Sequence, residues 1–263
     1  KIGYPDEWRN YDGLEIDEKL SFFENLRRAA EFDYAYEIAR RVNKPVDRNE
    51  WYMTPQTINA YYDPTTNEIC FPAGILQAPF FDPAADDAAN YGAIGVVIGH
   101  EMTHGFDDQG SQFDKEGNLR NWWTPQDKAN FKARTERMVR FFDGIEVLPG
   151  LHCNGALTCG ENIADHGGLK VAYQAFRNAT ARNPLPKFEG FTPDQRFFIS
   201  YAQVWANNIR PEALRNQVKT DPHAPGRWRV NGALPQIDAW YNAFGIKKGD
   251  KLFVPKNKRV DVW

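Results

Sequence analysis

The chain has 263 residues, enough to bury one sizeable core or two small ones, and its net charge of −3 is spread as mixed charges. No basic stripe points to nucleic acid and no polybasic run points to a membrane surface. No apolar run approaches the roughly 18 residues that would cross a bilayer, so neither nucleic acid nor membrane contact is expected of this segment.

In chain order, Asp17 to about Val42 reads as a long amphipathic helix, with Leu20, Phe23, Leu26 and Ala30 on one face. Ile58-Asn-Ala-Tyr-Tyr62 and Glu68-Ile-Cys-Phe71 are strand-like runs around the turn-rich Asp63-Pro-Thr-Thr-Asn67, so a small sheet is expected within 51–72. A strand edge there, with free N–H and C=O groups, can hold an extended peptide whatever its side chains. From Tyr91 the chain has helical spacing, with Ile94, Val97 and Ile98 apolar. Thr124-Pro125 looks like an N-cap with proline at the first helical position, opening a helix to about Phe142. Segments 160–182, 193–208 and 232–244 also read as helices, with loops at 105–121 and 144–158. There are no internal repeats or low-complexity tracts. The fold class is therefore α+β, predominantly helical, with a small sheet near the N-terminal third, forming one domain over residues 1–263.

The helix from Tyr91 runs into His100-Glu101-Met102-Thr103-His104. Histidines four apart stand one turn apart on one face and can grip one metal ion, here Zn²⁺, and the glutamate beside the first can reach a water on that ion. In this pattern zinc polarises a carbonyl and Glu101 acts as general base on zinc-bound water. The competing reading is a buried amphipathic helix whose histidines only form hydrogen bonds.

Catalytic zinc takes three protein ligands. A third histidine six residues beyond His104 is excluded by Gly110, and no carboxylate lies near Trp122 or Trp123. The better candidate is Glu161, in Cys159-Gly-Glu161-Asn-Ile-Ala-Asp165-His-Gly-Gly-Leu169. Glu161 and Asp165 share one helix face and would repel unless a cation or a donor separates them. Zinc at Glu161 and an imidazole N–H at Asp165 remove that conflict; a solvated acidic face is the alternative. A zinc-bound histidine donates its other N–H to a carboxylate. Asp107 is placed to orient one histidine in this way and Asp165 the other, unless Asp107 and Asp108 merely open the loop that follows.

These residues, with Asn59-Ala-Tyr-Tyr62, Phe71-Pro-Ala-Gly-Ile-Leu-Gln77, Asn121-Trp-Trp-Thr124, Ala202-Gln-Val-Trp205 and His223-Ala-Pro-Gly226, resemble the neprilysin and endothelin-converting-enzyme family. That family includes the bacterial PepO oligopeptidases. The resemblance covers nearly the whole chain and implies a zincin-like, broadly thermolysin-like catalytic lobe of the gluzincin kind, with one Zn²⁺ per chain on His100, His104 and Glu161. It implies that Asn59 and the backbone of Ala60 pair with an extended substrate, that His223 stabilises the tetrahedral oxyanion, and that Arg229 binds the carbonyl of the residue after the cut. Ile75, Phe80, Val97, Val204 and Trp205 would form the apolar pocket for that residue's side chain. Taken without the family, His223 in its proline-rich loop reads more simply as a surface histidine. The activity implied is that of a zinc metalloendopeptidase cutting oligopeptides before an apolar residue. The alternative is an inactive peptide-binding fragment that lacks a second lobe.

In the family, a segment resembling Lys1-Ile-Gly-Tyr-Pro-Asp6 lies mid-protein, so the N-terminal portion of the same protein, in the same chain or a separate one, is expected as a partner beside peptide substrates. Cys70, Cys153 and Cys159 stand where the family has apolar residues and read as small buried hydrophobes, although Cys153 and Cys159 could bridge. Animal members carry a cysteine near the terminal tryptophan, and its absence before Trp263 points to a bacterial member. An exported, periplasmic or cell-surface setting is the expectation for the parent.

Overall fold

The computed structural model describes residues 1–263. Nine α-helices carry the architecture: α1 Phe22–Arg41, α2 Asp87–Asn90, α3 Val96–His104, α4 Pro125–Asp143, α5 Cys159–Thr180, α6 Pro193–Val204, α7 Pro211–Thr220, α8 Gly226–Ala233 and α9 Asp238–Phe244. The strands are β1 Ile2–Gly3, β2 Tyr61–Asp63, β3 Glu68–Pro72, β4 Glu146–Leu148 and β5 Leu151–His152. The expected α+β, mainly helical class is what forms.

Local chemistry sets several helix starts. Thr124 caps α4, its hydroxyl accepting from the Asp127 N–H, and Pro125 follows at the first helical position. Thr192 and Gln195 cap α6 reciprocally, as Ser21 and Glu24 do for α1. Between α2 and α3 the helix widens for one π turn, Tyr91–Gly95, and continues without a break to His104.

The sheet has the order β1-β3-β2, with β1 parallel and β2 antiparallel to β3; Tyr61 faces Cys70 and Asp63 faces Glu68. β2 is thus an edge strand, and Asn59 and Ala60 lead into it. Three apolar cores flank the two central helices. One lies among α5, α6 and α9 and contains Leu169, Phe176, Phe197, Phe198, Tyr201 and Trp240. A second joins α4, α5 and the C-terminal tail through Met138, Phe142, Ile163, Val260 and Val262. The third packs the sheet on α3 through Ala60, Phe71, Ile75, Ile94 and Val97.

Several sequence expectations shift. The first helix forms, but none of its residues is buried: Phe23 and Leu26 face outward, because no other element of the chain packs on that face. The helix expected over 232–244 is broken into α8 and α9 by a 3₁₀ turn at Leu234–Gln236, where Pro235 has no N–H to extend α8. Helix α7 was not legible, because its short run PEALRNQVKT buries only Val218. The loop expected at 144–158 holds the β4–β5 hairpin. All three cysteines are buried free thiols, so the 153–159 bridge does not form. Burial pushes the Cys153 and Cys159 thiols up to about 11 and about 12, where they are chemically quiet.

Candidate metal centre and substrate cleft

Helices α3 and α5 cross backbone to backbone. A Cβ added at Gly99 would lie 2.9 Å from Gly168 Cα, and one added at Gly168 would lie 2.7 Å from the His100 nitrogen. Only glycine at both positions allows this approach. It brings the Glu161/Asp165 face of α5 against the His100/His104 face of α3.

The ligand atoms of His100, His104 and Glu161 all lie within 4.8 Å of one another. His100 Nε2 is 2.9 Å from His104 Nε2 and 3.2 Å from Glu161 Oε2, and His104 Nε2 is 3.7 Å from the same oxygen. Behind them, His100 Nδ1 lies 2.9 Å from Asp165 Oδ1, and His104 Nδ1 lies 2.7 Å from Asp107 Oδ2. Asp107 is itself fixed, its Oδ1 accepting from the Gln109 and Gly110 N–H groups at 2.8 and 2.7 Å.

This arrangement fits a divalent cation. A ring nitrogen facing a carboxylate carries the proton, so each neutral imidazole turns a bare Nε2 inward. Two lone pairs 2.9 Å apart then meet the buried Glu161 Oε2, which has no hydrogen-bond partner in the protein. Three electron-rich atoms converging in a buried site are costly unless a positive charge lies between them. Two imidazoles and one carboxylate form a donor set suited to zinc.

Proton affinities reflect the same crowding. Without a cation between them a proton would serve instead: burial pulls the pKa of His100 down, but the Asp165 hydrogen bond and the Glu161 carboxylate beside the ring more than offset this and raise it to about 9. For Glu161 burial pushes upward, and the histidines bring it down to about 2. Asp165 is pushed upward by burial too, but Arg229 and His100 hold it well below the usual carboxylate range. Glu101, buried beside the histidines, has its pKa raised by desolvation.

A cleft of about 620 Å³ opens over this centre. Every residue singled out from the sequence lines it: Asn59, Ala60, Ile75, Phe80, Val97, His100, Glu101, His104, Asp107, Glu161, Asp165, Val204, Trp205, His223 and Arg229. His223 is held by its loop with Nε2 3.3 Å from Glu161 Oε2. Arg229 is buried and its guanidinium is largely engaged. Nε and Nη2 donate to Asp165 at 2.8 and 2.6 Å, and the group lies 3.7 Å above the Trp205 ring. Only Nη1 has no protein partner.

Two supporting residues escaped the sequence reading. Asp221 Oδ1 accepts the His223 backbone N–H at 2.9 Å and lies 2.8 Å from Nδ1 of its ring, fixing its orientation. The spacing Asp-Pro-His is the signal that could have found it, since an aspartate commonly bonds the N–H two residues on. Tyr201, fully buried, donates to the Arg229 carbonyl oxygen at 3.0 Å. No local pattern marks that contact.

A family model described as Peptidase family M13 matches residues 59–260. The chain is 44% identical over 273 residues to an endothelin-converting enzyme homolog of Locusta migratoria, covering 100% of this chain and 37% of that protein. It is 43% identical over 277 residues to the human endothelin-converting enzyme 1, covering 100% and 35%. Among solved structures, an inhibitor complex of the Mycobacterium tuberculosis zinc metalloprotease Zmp1 superposes with a TM-score of 0.96 at 46% identity, covering 100% of this chain and 41% of that one. PepO of a Lactobacillus superposes with a TM-score of 0.88 at 37% identity, covering 100% and 40%. The chain thus spans little more than a third of the length of these curated relatives.

Proposed function

The chain belongs to peptidase family M13, and on that premise we propose that it is the catalytic part of a zinc-dependent endopeptidase acting on oligopeptides. The observation that carries this reading is the convergence of His100 Nε2, His104 Nε2 and the unpartnered Glu161 Oε2 beside buried Glu101. His100, His104 and Glu161 would hold one ion per chain. Zinc there would polarise a scissile carbonyl and acidify a water.

The chain's own residues supply the rest. Glu101, its pKa raised by burial, takes a proton from the attacking water and passes it to the leaving amine. His223, with its ring fixed by Asp221 through Nδ1, donates to the developing oxyanion from Nε2 in its imidazolium form, which carries a proton on both ring nitrogens. Arg229 turns Nη1 toward the carbonyl of the residue after the cut. The edge at Asn59 and Ala60 pairs with substrate main chain, which makes recognition independent of most side chains. Ile75, Phe80, Val97, Val204 and Trp205 line a wall that favours an apolar side chain after the cut.

The 263 residues act together as one catalytic unit. The relatives' further length supports a parent protein in which another portion closes over the cleft. A deciding experiment measures zinc content and cleavage of a quenched peptide library. Glu101→Gln should retain zinc and lose about 10²- to 10⁴-fold in rate. An unchanged rate would remove Glu101 from the mechanism. Wild-type protein that binds zinc and cleaves nothing would favour the inactive peptide-binding fragment.

A further inference from the structure

Away from the cleft, folding gathers positive charge that the sequence disperses. On the exposed face of α4, Arg137 and Arg140 stand three residues apart, and the C-terminal segment lays Lys258 beside them. These three cations line a shallow groove that contains no acidic residue. Its floor is partly buried and apolar, with Phe141, Phe253 and Val254.

Arg137 is held rigidly by neutral partners, donating to the Arg259 and Asn257 carbonyl oxygens at 2.8 and 3.4 Å. Neither Arg137 nor Lys258 has a carboxylate within ion-pairing distance, and Arg140 approaches only Glu136, at 3.8 Å. The turn that leads into the groove adds exposed Lys247, Lys248 and Lys251. Segment 247–259 carries six basic residues against one acid; Lys256 and Arg259 pair with Asp238, which leaves Lys247, Lys248, Lys251 and Lys258 without an ion pair, in a chain whose net charge is −3.

We propose that this face docks on an anionic phospholipid surface. The charge is spread over an open groove instead of enclosing one site, which matches a plane of phosphates better than a single phosphate ion. The exposed cations stand at the rim, above partly buried apolar side chains, so the phosphates of a headgroup layer would meet the charges first. An acidic peptide would meet the same charges, but the groove gives it no free strand edge to pair with. The absence of a contiguous basic run had excluded membrane contact at the level of sequence. Folding assembles the patch from segments more than 100 residues apart, as the Arg137 bond to the Arg259 carbonyl shows.

The test is co-sedimentation of the 263-residue chain with vesicles of phosphatidylglycerol and phosphatidylcholine, compared with phosphatidylcholine alone. Binding should require the anionic lipid and weaken as salt rises. The triple variant Arg140→Gln, Lys251→Gln, Lys258→Gln leaves the Arg137 carbonyl bonds in place. It should partition about 100-fold more weakly, at about fivefold for each basic side chain, with an unchanged melting temperature. A control triple, Lys44→Gln, Lys187→Gln, Lys219→Gln, removes the same charge elsewhere and should bind as wild type. The proposal is overturned by equal binding to neutral vesicles, by equal losses in both triples, or by no binding to anionic vesicles at low salt. It is also overturned if an acidic peptide binds the groove and the vesicles do not.

Discussion

Helices α1 and α5 are of similar length, 20 and 22 residues, but different things hold them together. α1 buries none of its residues and is held by the Ser21/Glu24 capping box, by ion pairs such as Arg41–Glu37, and by surface contacts with the flanking loops such as Arg9–Asp33, Arg40–Asp47 and Tyr11–Phe32. α5 buries twelve, from Cys159 to Thr180, between two cores and against α3. The difference separates helix formation from helix placement. Caps, side-chain pairs along the helix and surface contacts go with the first, whereas the site requires the second, because Glu161 and Asp165 are useful only at one fixed distance from α3.

The largest break in this comparison comes at the crossing. Gly168→Val puts a side chain into the backbone of α3, where an added Cβ already lies 2.7 Å from the His100 nitrogen. It should cost about 3 kcal/mol or more and abolish stoichiometric zinc, read by denaturant midpoint and metal analysis. A valine placed at an exposed position of α1, Glu31→Val, should change the midpoint only slightly.

The next effect is titration inside α5. His166 is fully buried, and burial, with Lys170 nearby, lowers its pKa from 6.5 to about 4. The unfolded chain therefore binds more protons between those values, and stability falls as pH drops from about 6.5 to 4. The loss approaches about 3 kcal/mol. In His166→Leu that part of the pH dependence should vanish from urea unfolding curves. A slope equal to wild type would show that His166 is not the responsible group.

A smaller effect is expected behind the ligands. Asp107→Ala removes the partner of His104 Nδ1 and two backbone contacts. Zinc affinity should fall about 10- to 100-fold in a chelator competition, with the fold retained. Smallest is Leu26→Ala on α1: the side chain is 55% exposed, so the change should stay within about 0.5 kcal/mol. A loss above about 2 kcal/mol would mean that this face is covered in solution.

Much of the site was legible because its pieces are local. The metal-gripping pair, its adjacent glutamate and the Glu161/Asp165 pair each lie within one turn of helix, where spacing alone fixes the face. The start of α4 at Thr124 was legible for the same reason, whereas the first helix, expected from Asp17, begins only after Ser21. Less was legible where short elements depend on neighbours, as with α7 and the β4–β5 hairpin. The hold of Asp221 on His223 is local too, but an aspartate in a proline-rich loop has many ordinary uses, so its role did not stand out.

By itself the sequence determined which residues could be ligands and which way each helix presents them, because backbone periodicity and capping act over a few residues. Only the tertiary structure decided that His100 meets Asp165 across 65 residues, that Arg229 is largely spent on Asp165, and that α1 stays uncovered. Those outcomes depend on how closely backbones can approach and on which surfaces find a partner. At Gly99 and Gly168 the approach is set by the absence of side chains, and the distances that make a metal centre follow from it.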